Sequence, residues 1–130
     1  MLRAVGRPKI ISFVNMVDIS IFRQIALSFP EATEEPHFEK TSFRIKKKIF
    51  ATYNDKENQA CVKLSERDQD LFCLSDKLII FPVPNKWGKQ GWTLVSLDKV
   101  QENVFLELLT CAYCAVAPEK LALLVRPDAE

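Results

Sequence analysis

Thr41-Ser42-Phe43-Arg44-Ile45-Lys46-Lys47-Lys48-Ile49-Phe50-Ala51-Thr52-Tyr53 decides the fold class, because apolar residues recur at every second position on both sides of three lysines. Phe43 and Ile45 alternate with Arg44 and Lys46. Ile49, Ala51 and Tyr53 then alternate with Phe50 and Thr52, and a period of two predicts a hairpin turning at Lys46-Lys47-Lys48. Asn54-Asp55-Lys56-Glu57-Asn58 reads as a polar turn, after which Ala60, Val62 and Leu64 mark a third strand. Three sequential antiparallel strands make a meander.

Upstream of the meander, Asp18 is a good N-cap, and Ile19, Phe22, Ile25, Ala26 and Phe29 fall on one helical face, so residues 19–29 read as an amphipathic helix closed by Pro30. Residues 30–37 hold two prolines and three glutamates and read as an extended acidic connection. Downstream, Ser65 with Asp68 resembles a capping box opening a helix of about two turns through Leu74. The apolar runs Leu78–Phe81 and Thr93–Val95 are two more strands. Joining them is Pro84-Asn85-Lys86-Trp87-Gly88-Lys89-Gln90-Gly91-Trp92, which carries both tryptophans of the chain. Val100, Val104, Leu108 and Cys111, with Phe105, Leu109, Ala112 and Ala115, mark a long apolar helix near 101–116. Pro118 suits the first turn of a last helix, Glu119 to Val125, and 126–130 is a tail. The expected fold is α+β in two layers: an antiparallel sheet of about five strands with helices on one face, in the order α-β3-α-β2-α-α.

At 130 residues the chain fits one domain, taken as residues 17–125 behind a poorly ordered extension, 1–16. Eighteen basic and seventeen acidic side chains leave a net charge of +1, so any attraction to nucleic acid or membrane must come from a local patch. No apolar run approaches the roughly 20 residues needed to span a bilayer. Arg3, Arg7 and Lys9 before Ile10-Ile11-Ser12-Phe13-Val14 faintly resemble a targeting peptide, but the apolar part is short and lacks a small-residue cleavage site. A loose tail, or a true start at Met16, is the preferred reading. Cys61, Cys73, Cys111 and Cys114 sit in core-like runs, so reduced thiols and a cytoplasmic location are expected.

No catalytic set emerges. Cys111-Ala112-Tyr113-Cys114 is a CxxC, but it falls deep in an apolar helix, whereas a redox pair opens a helix whose N-terminus lowers a thiol pKa. Zinc would need two more ligands at matching spacing, and Cys61 and Cys73 are separated by eleven residues in different elements. His37, the only histidine, reads as a loop residue at the sheet edge. Gly88 and Gly91 match neither a P-loop nor a dinucleotide fingerprint. No cofactor, metal or enzymatic activity is expected.

The cations remain. Lys40, Arg44, Lys46, Lys47 and Lys48 cluster on the first hairpin, and Lys86 and Lys89 alternate with Trp87 and Trp92 in the second loop. Two projecting loops of this kind suit a phosphate backbone, with an aromatic to stack on bases. The bland alternative makes the lysines solubilising and the tryptophans core pillars over Gly88 and Gly91.

The order of several short motifs resembles the MmcQ/YjbR-like family. Ser28-Phe29-Pro30-Glu31-Ala32, Pro36-His37-Phe38, Phe43-Arg44-Ile45 and Lys48-Ile49-Phe50-Ala51 match its front half. Asn85-Lys86-Trp87-Gly88, Gly91-Trp92, Ala112-Tyr113 and Val116-Ala117-Pro118-Glu119-Lys120-Leu121 match its back half. The resemblance implies a small domain similar to secretion chaperones, with two wings that contact DNA. Lys46-Lys47-Lys48 departs from it, standing where many relatives carry a glycine-containing turn. The expected function is therefore weak, largely sequence-independent DNA binding by a monomer or weak homodimer, through Arg44, Lys46, Lys47, Lys48, Lys86, Trp87 and Lys89. Two alternatives stand beside it. One is a chaperone-like protein-interaction module, signalled by an uncovered apolar sheet face. The other is a small-ligand pocket lined by Trp87, Trp92, His37 and Tyr53.

Overall fold

Asp18 accepts a hydrogen bond from the Ile21 amide at 2.9 Å and so starts helix α1 (Ile19–Leu27), whose Phe22 and Ala26 are buried. Six strands follow: β1 (Thr33–His37), β2 (Lys40–Ile45), β3 (Lys48–Asn54), β4 (Gln59–Lys63), β5 (Ile80–Pro82) and β6 (Trp92–Ser96). Helix α2 (Glu66–Ser75) separates β4 from β5, and the four-residue α3 (Lys86–Lys89) sits between β5 and β6. Helices α4 (Glu102–Val116) and α5 (Glu119–Val125) close the chain. This computed structural model describes residues 17–75 and 77–127; the N-terminal extension 1–16 and the end of the tail lie outside them.

All pairings are antiparallel and the sheet runs β1-β2-β3-β4-β6-β5. The α+β class and the one-sided helical layer are those expected, with α4 lying across β3 and β4. The core is aromatic: Phe22 stacks on Phe43 at 5.0 Å and meets Phe105 edge-on at 4.9 Å.

Three local readings differ. The acidic connection contains a sixth strand, β1, with Glu35 opposite Ser42 and Pro36 opposite Thr41. An edge strand tolerates a proline and charged side chains because one row of its backbone groups faces solvent, which is why period and composition hide it. On β3 the strict alternation fails at Phe50: the register slips between Phe43–Ala51 and Arg44–Ile49, leaving Phe50 as a bulge. Phe50 and Ala51 both reach the buried side, while Ile49 and Thr52 face the other way. In the tryptophan connection, a helical turn replaces an open loop.

Ile45 pairs with Lys48 across a two-residue turn in which Lys46 and Lys47 have φ of 52° and 71°. Positive φ at both positions is the signature of a type I′ hairpin turn, normally built from Asn-Gly. Lysine there strains the backbone. Lys47→Gly should therefore raise stability by about 1 kcal/mol and the Tm by about 4 °C, read from urea and thermal melts.

Candidate functional site

β2 enters the Lys46-Lys47 turn and β3 leaves it. β4 runs back antiparallel to β3, and β6 begins opposite its end, with Lys63 paired to Trp92. The Lys46-Lys47 turn and the 83–91 connection therefore project from one end of the sheet. Three strand spacings separate their centres, about 14 Å at 4.8 Å per strand.

The motif Asn85-Lys86-Trp87-Gly88 has a part for each residue. Asn85 caps α3 by accepting a hydrogen bond from the Trp87 amide at 2.8 Å. Gly88 is buried against the β5 end, where a Cβ would collide with the Val83 carbonyl oxygen. Buried Gln69 of α2 donates to the Gly88 carbonyl at 2.9 Å and to Thr93 Oγ1 at 3.0 Å, tying the turn to the sheet. Gly91 holds φ at 106°, and the Leu64 amide donates to its carbonyl at 2.9 Å. The result is a rigid turn carrying Trp87 half exposed, with Lys86 Nζ 5.8 Å from its ring centre. Neither tryptophan belongs to the core.

The seven residues singled out from the sequence do not all converge. Lys47 and Lys48 sit exposed at one loop, Lys86, Trp87 and Lys89 at the other. Among the described residues these four lysines make no ion pair. Lys46 shares the first turn but pairs with Glu31 at 2.9 Å. Arg44 lies within the sheet, donating to Ser42 Oγ at 2.9 Å and standing 4.0 Å from Glu35.

Behind these loops, the sheet face away from the helices is hollowed into an open trough of about 410 Å³. Its floor is Ile49, Thr52, Cys61 and Leu94, in line across β3, β4 and β6 because Thr52 pairs with Cys61 and Cys61 with Leu94. Trp87 and Trp92 wall it at one end, His37 and Lys40 at the other. Tyr53, expected among the liners, instead faces the helices, edge-on to Phe22 at 5.9 Å. The bulge at Phe50 is the reason Ile49 joins the floor. Sequence reading missed the floor, although the positions left over by the Ala60-Val62-Leu64 alternation point to it.

Burial pushes the Cys61 thiol up to about 11, against the pull of nearby Lys40. Cys111 is raised to about 11 and Cys114 is also raised, again by burial first, so neither has the lowered thiol pKa of a redox pair. No group of three or more candidate metal ligands occurs among the described residues, and no helix there is long and apolar enough to cross a membrane.

The YjbR family model matches residues 27–115, from the end of α1 into α4, thus including both loops and the trough. The chain belongs to the YjbR family. A crystal structure of the Deinococcus radiodurans protein DR2400, described by its DUF419 domain, superimposes with a TM-score of 0.68. It is 19% identical, over 78% of this chain and 79% of that one, a likeness of fold. No curated protein matches the chain significantly.

Proposed function

We propose that this YjbR protein is a non-catalytic nucleic-acid-binding protein whose two basic loops grip the phosphate backbone without reading sequence. The observation that carries this is the placement of Lys47 and Lys48 on one loop, and Lys86 and Lys89 on another, at the same end of the sheet. Their separation of about 14 Å is close to the roughly 12 Å width of the DNA major groove, so the loops fit phosphates on its two sides. Trp87 stands beside Lys86 as a stacking surface. Acidic β1 flanks the first loop beside β2, with Glu34 held by Arg23 at 2.7 Å and Glu31 by Lys46 at 2.9 Å. Lysine contacts to phosphate supply affinity and little specificity.

Fluorescence anisotropy on labelled duplex and single-stranded DNA tests the proposal. Four phosphate contacts give a log–log salt slope of about −3.6, roughly a hundredfold loss of affinity between about 50 and about 200 mM salt. Reversing Lys47 and Lys89 together to glutamate should abolish micromolar binding at the lower salt. Absence of binding there, or indifference to the reversal, sinks the idea. The uncovered trough favours a second reading, in which another protein docks on the open face; that reading predicts indifference.

A further inference from the structure

The tryptophan turn is tightly constrained. Gly88 and Gly91 accept backbone positions closed to other residues, and Gln69 is buried to hold the turn, yet the side chain it presents, Trp87, is 50% exposed at the trough. A second strained turn lies beside the opposite end, its aromatic outside the trough's own lining. Phe38, in the turn between His37 and Lys40, has φ of 60° and is 93% exposed, its ring 4.8 Å from that of His37. A two-residue hairpin turn with positive φ at its first position ordinarily takes glycine there. A bulky aromatic kept in that conformation and in water is the kind of strain that gathers at ligand clamps.

We propose that the trough on the open sheet face binds a small planar aromatic anion, its ring against Trp87 and Trp92 and its acidic group at Lys40. The site goes beyond the DNA-binding reading, since Lys40, Thr52, Cys61 and Leu94 lie outside the basic loops and only Trp87 is shared. A volume of about 410 Å³ suits one or two fused rings, and the lining has the usual mix of apolar walls with few polar groups. Charge sets the ligand class. Among the described residues no carboxylate lines the trough, and Glu39 and Glu35 are engaged elsewhere, Glu39 with Lys56 at 3.2 Å and Glu35 beside Arg44 at 4.0 Å. Lys40 is therefore an unopposed cation at one end of an apolar floor, complementary to a carboxylate, sulfonate or phosphate. Thr52, only 8% exposed, offers a hydroxyl midway along that floor.

Two dyes that share an aromatic body and differ in charge test this: 8-anilinonaphthalene-1-sulfonate and neutral N-phenyl-1-naphthylamine. The anionic dye should bind with blue-shifted emission and a micromolar Kd. Lys40→Gln, at an exposed position, should weaken it by about tenfold and the neutral dye by less than about twofold, as expected for loss of one charge-assisted contact. Trp87→Ala should weaken both dyes. Leu74→Ser, at a surface leucine 72% exposed on α2, should change neither. Circular dichroism confirms that each variant is folded. The proposal is overturned if neither dye binds, which would leave the face to a macromolecular partner, if Lys40→Gln weakens both dyes equally, or if Leu74→Ser removes the signal.

Discussion

Gly91→Ala should cost about 3–5 kcal/mol, a large share of the total stability of an ordinary domain. Two penalties combine. The φ of 106° lies where L side chains are strained, and a Cβ there would collide with the Leu64 carbonyl oxygen. Relief requires β6 to separate from the end of β4, which gives up the Leu64 amide hydrogen bond to the Gly91 carbonyl and disturbs the Thr93 Oγ1 bond to the same oxygen. It also moves Gln90, whose carbonyl accepts from Lys63 Nζ. Urea melts should show the stability of the variant lowered by about 3–5 kcal/mol, whereas Lys89→Ala on the exposed side of the same turn should lower it by less than about 0.5 kcal/mol. Near-equal melts would mean that the turn is looser than its packing implies. The prediction matters for function because Gly91 and Gly88 fix the position of Trp87, the residue common to both proposed binding surfaces.

How far the sequence could be read depended on how local the deciding physics was. The meander, both long helices and the capped start of α2 follow from periodicity and caps, which act within one turn or one strand. β1 was hidden because an edge strand has no period to declare: Thr33-Glu34-Glu35-Pro36-His37 is polar on both faces and becomes a strand only when β2 offers its free edge. The bulge at Phe50 was hidden for the opposite reason, since Ile49-Phe50-Ala51 reads well in strict alternation. It is tertiary packing, with Phe50 edge-on to Phe29 at 6.1 Å and to Tyr113 at 5.6 Å, that turns the side chain inward. The site followed the same rule. Cations at loop tips were legible as a cluster, yet the engagement of Arg44 by Ser42 and Glu35 depends on the unseen strand. Lys40 was visible among the clustered lysines. Its place opposite two tryptophans was not, because it depends on sheet order.

Tyr113→Ala should destabilise the domain by about 3–5 kcal/mol, while Tyr113→Phe should cost only about 1 kcal/mol. The tyrosine is fully buried on α4, stacked on Phe29 at 4.9 Å and edge-on to Phe50, with its hydroxyl donating to the Pro30 carbonyl at 2.7 Å. It thereby joins α4 to the segment leaving α1 and to the bulged strand. Truncation to alanine removes the ring contacts and opens a cavity among rigid aromatic neighbours that cannot collapse into it. Phenylalanine keeps the packing and leaves only the Pro30 carbonyl unpaired, at a partly buried place that water can reach. Unfolding by urea, followed by circular dichroism, separates the two: a wide gap between the variants assigns the stability to packing, and similar losses would assign it to the hydrogen bond. This also accounts for Cys111-Ala112-Tyr113-Cys114 without redox chemistry. Ala112 and Tyr113 are the buried pair at the centre of that motif, and the two thiols flank them partly exposed, kept protonated by their surroundings. In α4 the spacing serves the ring between the cysteines.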